Sequence, residues 1–271
     1  MQCAIITSKQ DPAGMNIKEC LLRLFKFHES GKFENNSVYS YKNNTVLYTL
    51  EQYHIFADEL DKKIDADFFI FATSHKSKEG ILSLSCHAPG NWGEAGFGGK
   101  SKKLCIAPAL MLKKAYLELK NNQNDVPNHQ ITLEVTHHGP YVNKPIMFIE
   151  IGSAEEHWGN KKAGEIIAKT IIKLIEEPEL KNQKIAFGIG GPHYCNNFNK
   201  ILERADIALG HICPKHNLHL LDEEMIMQAI ERTKEKIDFV LLDWKGMGAE
   251  KERLKGILEK MGIEVKRTEK I

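Results

Sequence analysis

Residues 133–140 read LEVTHHGP: a glutamate within an apolar run that closes on two histidines, a glycine and a proline. An apolar run of strand length bounded by Gly and Pro predicts a buried strand followed by a turn. Two other stretches share the arrangement, LSLSCHAPGNWG at 82–93 and AFGIGGPHYCNNF at 186–198. In open α/β sheets, binding and catalytic groups gather at the carboxyl ends of strands. Three histidine loops in such positions predict an active site, where one alone would say little.

Working outward, strands are expected at 2–7, 45–50, 67–73, 81–86, 131–136, 146–151, 185–189, 207–209 and 239–242. Several are apolar throughout, as in strands covered on both faces. Helices are expected at 16–27, 108–121, 163–176, 198–204, 222–236 and 251–261, with Pro108 at a first helical position. In the third of these, Ile167, Ile171, Leu174 and Ile175 recur at helical spacing, with Lys169 and Lys173 outside the stripe. Strands alternating with helices imply a three-layer α/β/α sandwich with a mixed, mostly parallel sheet. There is no repeat, low-complexity tract or linker, and the polar stretch 121–129 reads as a surface loop, so residues 1–271 are read as one domain.

The 37 basic and 36 acidic residues nearly cancel, which excludes retention of polyanions by bulk charge but leaves room for a local basic face. Lys100, Lys102, Lys103, Lys113 and Lys114 are one candidate face. The six cysteines contain no CxxC pair, which argues against a disulfide framework and a thiolate zinc knuckle. The first apolar run is too short for a signal peptide, and no segment approaches the roughly 18 apolar residues of a membrane span. A soluble, cytoplasmic monomer is expected.

Glu134 and Glu150 interrupt apolar strands, and a carboxylate buried in a sheet is costly unless a metal, an arginine or several hydrogen bonds satisfy it. Strand alternation puts Glu134, Thr136 and His138 on one face and His137 on the other, unless the strand has already ended. His87 lies in CHAPGNWG, where Trp92 either stands exposed on the loop, able to stack on a base, or folds back onto the core. His193 follows Gly-Gly-Pro before a helix, a junction suited to acid–base chemistry or metal binding. His211 stands at a strand end; His28, His54 and His129 require no role, and nothing near Cys195 favours a thiolate. The glycine-rich 93–99 lacks the lysine and spacing of a P-loop and reads as a flexible or close-approach loop. No GxSxG, HExxH or GxGxxG is present. Histidine and glutamate without thiolates suit a catalytic zinc, although a metal-free histidine base also fits.

The ordered set AIITSKQDPAGMNI, FATSHKSKEG, LSCHAPGNWG, LEVTHHGP, IEIGSAEEHWGN, GIGGPHYCNNF and LGHICPKH resembles the archaeal and plant type of D-aminoacyl-tRNA deacylase over nearly the whole chain. That resemblance implies a phosphorylase/hydrolase-like α/β/α fold, architecturally related to peptidyl-tRNA hydrolases and zinc exopeptidases. It also implies a zinc enzyme that releases D-amino acid and tRNA from a mischarged ester, a step of translation quality control. The matching positions include His75, His87, His137, His138, Glu150, His193 and His211, without saying which bind metal. EEHW departs from the family pattern, which more often has an acidic residue where His157 stands, so His157 is left outside the expected site.

The expected mechanism has zinc held by residues among Glu134, His137, His193 and His211, activating water. Glu150 or His138 would accept the proton, and His87 would polarise the carbonyl or protonate the leaving ribose oxygen. His75, Lys76, Asn91, Trp92, Lys102 and Lys103, with Lys78 and Lys100 on the same basic face, are expected to meet D-aminoacyl-tRNA. No protein partner is implied. A zinc peptidase or amidase, and a non-catalytic tRNA-binding module, are the alternatives.

Overall fold

The computed structural model describes residues 2–78 and 80–271. Its first sheet is built from β1 (Cys3–Ser8), β2 (His28–Phe33), β3 (Asn36–Tyr41), β4 (Thr45–Leu50), β5 (Phe68–Ser74) and β6 (Ser83–His87), followed later by two further strands. A short ribbon, β7 (Gly90–Asn91) with β8 (Lys103–Leu104), separates β6 from those two, β9 (Gln130–Leu133) and β10 (Ile146–Gly152). The spatial order is β2-β3-β4-β1-β5-β10-β6-β9. The central pairs β4-β1, β1-β5 and β5-β10 are parallel, whereas β6 runs antiparallel to β10 and parallel to β9. A second, all-parallel sheet contains β11 (Lys184–Ile189), β12 (Ile207–Cys213), β13 (Phe239–Leu242) and β14 (Val265–Arg267), ordered β12-β11-β13-β14.

Helices α1 (Pro12–Leu24), α2 (Ala109–Asn121) and α4 (Lys161–Glu176) cover one face of the first sheet, and the short α3 (Glu155–Trp158) leads into α4. Period-two alternation sets this packing. Cys3 and Ile5 of β1 join the core under those helices, while Ala4 and Ile6 join a separate core with Phe69, Phe71 and Phe148 on the far side. That far side is closed by turns carrying Leu60, Ile64 and Val142 rather than by α-helices. The second sheet has α5 (Asn196–Arg204) on one face, and α6 (Glu223–Glu231) and α7 (Lys251–Lys260) on the other. The Asp11, Asn160 and Asp222 side chains accept first-turn N–H groups and so begin α1, α4 and α6.

The mixed, mostly parallel sheet and its flanking helices agree with the sequence reading, but they are divided between two sheets. The hairpin β2–β3 was not anticipated because β2 (HESGKF) has no apolar run. Residues 131–136 were expected to form one strand, yet β9 ends at Leu133. From there the backbone crosses between sheets: Glu134 N–H donates to Cys86 O, Val135 N–H to His193 O and Thr136 N–H to Ile212 O.

Trp92 completes this junction. It is 1% exposed, lies parallel to Phe187 at a centroid distance of 5.8 Å, and donates its indole N–H to Thr136 O at 2.9 Å. Of the two positions open to it, Trp92 takes the core, and it is not available to stack on a substrate. Trp92→Ala should cost about 3–5 kcal/mol of unfolding free energy in a denaturant titration; a loss below about 1 kcal/mol would contradict this account.

Candidate active site

The site forms where His75 after β5, His87 closing β6, residues 134–138 after β9, Glu150 within β10 and His193 after β11 come together. Register places Glu150 between Thr73 of β5 and Ser85 of β6. Thr73 Oγ1 donates to Glu150 Oε1 at 2.8 Å. Glu150 Oε2 lies 3.5 Å from His87 Nε2 and 3.6 Å from His75 Nδ1, and is otherwise without a hydrogen-bond partner. Glu134 Oε2 accepts from His193 Nε2 at 2.8 Å and lies 3.4 Å from His75 Nδ1 and 3.8 Å from His137 Nε2. Its Oε1 is buried without a partner.

Three of the histidines are held by their own backbone. Nδ1 of His87 lies 3.2 Å from Ala88 O, Nδ1 of His137 2.8 Å from Val135 O, and Nδ1 of His138 2.6 Å from Gly139 O. A carbonyl only accepts, so each Nδ1 carries a proton, and in a ring that stays neutral Nε2 is left with a lone pair. His87, His137 and His138 form a group in which one ring nitrogen from each lies within 4.8 Å of the others. Two further groups of the same tightness overlap it: His75, Glu134, His137 and His193, and His87, Glu134 and Glu150.

Burial, with repulsion from neighbouring imidazoles, holds the pKa values of His137 and His138 well below the ordinary histidine value. Their lone pairs are therefore available at neutral pH. Burial opposes charge on His87 too, but the hydrogen-bonding and coulombic pull of Glu150 wins and raises its pKa. Burial would raise Glu134, yet the field of His75 and the hydrogen bond from His193 outweigh it and hold the carboxyl low. The pocket thus favours positive charge beside two carboxylates, supplied by a proton or by a cation. Imidazole nitrogens with free lone pairs, each oriented by a carbonyl, and carboxylate oxygens lacking partners are the donor chemistry of a transition-metal site.

The D-aminoacyl-tRNA deacylase family profile matches residues 62–266. Curated proteins of that name match along nearly the whole chain. The one from Thermococcus onnurineus is 42% identical, covering 96% of this chain and 97% of that protein. The one from Thermococcus kodakarensis is 40% identical with the same coverage, and that of Methanosarcina acetivorans is 36% identical over 96% and 90%. The chain belongs to the D-aminoacyl-tRNA deacylase family. A crystal structure of a conserved protein of unknown function has the same fold, with a TM-score of 0.91, 30% identity, and coverage of 100% of this chain and 96% of that one.

Within this member of the family, His75, His87, Glu134, His137, His138, Glu150 and His193 converge. His137 and His138 reach one pocket because the strand has ended and His138 adopts a positive φ of 43°, so alternation no longer separates them. His211 does not join the cluster. Its Nε2 lies 3.0 Å from Cys105 O and 3.2 Å from Arg232 O, and so carries the proton. Its Nδ1 accepts from Thr136 Oγ1 at 3.1 Å, because that hydroxyl already receives Ile212 N–H. Both nitrogens are used, which removes His211 as a metal ligand and makes it a brace for the crossing segment.

The expected substrate contacts also divide. Asn91 is buried and donates to Gly98 O, Lys113 and Lys114 are buried donors to backbone carbonyls, and Lys76 pairs with Glu155. Lys100 pairs with Glu59, and Lys78, Lys102 and Lys103 stay exposed. His54, given no role from sequence, is buried with Nδ1 3.1 Å from Asp11 Oδ2, which also accepts Ser74 N–H. Its ring faces Phe148, which in turn packs on His87 and His138. Asp11 and His54 are 43 positions apart, so only the fold reveals the pair. Tyr194 was also missed; its hydroxyl lies 3.3 Å from His75 Nε2.

No helix among the described residues is long and apolar enough to cross a membrane.

Burial lowers the His211 pKa from 6.5 to about 4. The unfolded chain therefore binds the extra proton first, and the stability owed to a neutral His211 is lost as pH falls from about 6.5 towards 4. The destabilisation caused by His211→Gln should be largest at neutral pH and shrink by about 3 kcal/mol by pH 4. A pH-independent difference in calorimetry would refute this.

Proposed function

We propose that this chain hydrolyses the ester of D-aminoacyl-tRNA, releasing free D-amino acid and tRNA, at a zinc site made by the histidine–glutamate cluster. The observation that carries the reading is the two Nε2 lone pairs of His137 and His138, grouped with His87, beside buried carboxylate oxygens of Glu134 and Glu150 that lack partners. Imidazole and carboxylate donors without thiolate select zinc over calcium or magnesium. His137 is common to two of the three donor groups and is assigned as the central ligand, with His138 and Glu134 completing the set. When bound, the cation supplies positive charge against the developing oxyanion and favours hydroxide at neutral pH.

The chain's own groups do the rest. His193, with 35% of its side chain exposed, is more accessible than His75, His87 or His137. Its Nε2–H donates to Glu134 Oε2, which fixes the tautomer and leaves Nδ1 to take a proton from the attacking water. That arrangement makes His193 the acid–base residue and Glu134 its orienting partner. Glu150 balances charge on His87. His87 is fully buried, so it acts by holding the pocket's charge rather than by reaching the leaving ribose oxygen. A peptidase or amidase reading would use the same cluster on another carbonyl, but neither the family membership nor the curated relatives favour it.

Release of labelled amino acid from D-tyrosyl-tRNA but not L-tyrosyl-tRNA, abolished by a chelator and restored by zinc, is the expected result. Loss of neither ester would reject the deacylase, and chelator-resistant hydrolysis would reject the metal. His193→Ala should lower turnover by ~10² or more while zinc content, measured by mass spectrometry, stays near that of the parent protein. His137→Ala should lose both zinc and activity; a zinc-replete His137→Ala would overturn the ligand assignment.

A further inference from the structure

Phe97 is 72% exposed, the most exposed large apolar side chain among the described residues, and Phe56 follows at 56%. Such side chains carry no stability argument where they stand. Their position is fixed by close backbone packing. A Cβ on Gly98 would collide with the Ile55 carbonyl, and one on Gly139 would collide with Gly98, Gly99 and Ile55. Three chain segments, 55–56, 97–99 and 138–139, are therefore in backbone contact. Gly139 N–H donates to Phe97 O at 2.9 Å, and Asn91 Nδ2 donates to Gly98 O at 2.9 Å. Gly139 directly follows His138 and accepts its Nδ1–H. The loop that carries this exposed ring is thus tied through its backbone to the segment that carries His138.

The surroundings select among ligands. Lys102 and Lys103 follow on the same loop, exposed and, among the described residues, in no ion pair; Lys100 lies over the Tyr141 ring while pairing with Glu59. Glu94 is the exposed carboxylate within the loop itself. An aromatic face beside unpaired cations matches a single-stranded nucleotide, whose base stacks and whose phosphates meet lysine.

Resting on the deacylase reading above, we propose that Phe97, flanked by Phe56, is the stacking platform for the unpaired 3′-terminal base of the tRNA, which places the ester linkage over His193 and His137. Lys102 and Lys103 receive the adjoining phosphates. The aromatic of this loop that meets RNA is then Phe97, five positions beyond the buried Trp92.

The test is equilibrium binding of uncharged tRNA, with and without its 3′-terminal adenosine, to the full zinc-loaded protein. Loss of one stacked base is worth about tenfold in Kd. The parent protein should bind the intact tRNA about tenfold tighter than the shortened one. Phe97→Ala and Phe97→Leu should bind the two equally, and Phe97→Trp should restore the difference. Equal binding of both RNAs by the parent protein, or an undiminished preference in Phe97→Ala, overturns the platform. So does a Phe97→Leu protein that keeps the preference, since leucine preserves the apolar surface but not the ring. Binding of uncharged tRNA requires no hydrolysis, so these outcomes are independent of whether the D-ester is cleaved; a protein inactive on every ester that still reads the terminal adenosine would retain the platform and lose the deacylase.

Discussion

Two carboxylates are buried where a sheet interior would normally tolerate none, and the surrounding site is arranged to satisfy them. Glu134 and Glu150 each have an oxygen without a hydrogen-bond partner, and each is faced by imidazoles at 2.8–3.8 Å. Removing an ionised carboxylate from water costs several kcal/mol even after relaxation, so the charge must be matched locally. Imidazole can meet that demand either as a cation or as a ligand to one. The fold supplies this by ending β9 at Leu133 and carrying the chain across to the second sheet, bringing residues 134–138 against His75, His87, Glu150 and His193 at once.

That crossing explains why so much of the surrounding structure is occupied with holding backbone. His211, Thr136 and Trp92 form one buried set: a hydroxyl donating to an imidazole, that imidazole donating to two carbonyls, and an indole donating to the carbonyl of Thr136. His87, His137 and His138 each use Nδ1 in the same manner, on a carbonyl one or two positions away. Fixing a ring through one nitrogen is what makes the other nitrogen a directed donor. Histidines here therefore divide into those that present a nitrogen inward and one, His211, that spends both on structure.

The helices and strands were largely legible in the sequence because most of them bury a continuous face. Strands 45–50 and 239–242 fall where their apolar runs predict. The hairpin β2–β3 was not legible, because an edge ribbon with polar residues on an exposed side carries no apolar signal. The division into two sheets was hidden for a related reason: residues 131–136 (ITLEVT) have the composition of a strand whether the chain stays in one sheet or leaves it. The position of Trp92 stayed open for a similar reason, since Gly and Pro mark a turn but not the side of it that faces the core.

The sequence by itself determined that histidines cluster after buried strands, that glutamates sit within or just beyond two such apolar runs, and that the motif order is that of the deacylase family. These are local facts of residue type and spacing. Which histidine nitrogens point inward, that His211 is excluded, that His54 meets Asp11, and that Phe97 rather than Trp92 faces solvent were decided by tertiary structure alone. The physical reason is that a ring nitrogen's role depends on the carbonyl or carboxylate opposite it, and that partner is set by strand register and by the crossing at Glu134, neither of which has a sequence periodicity.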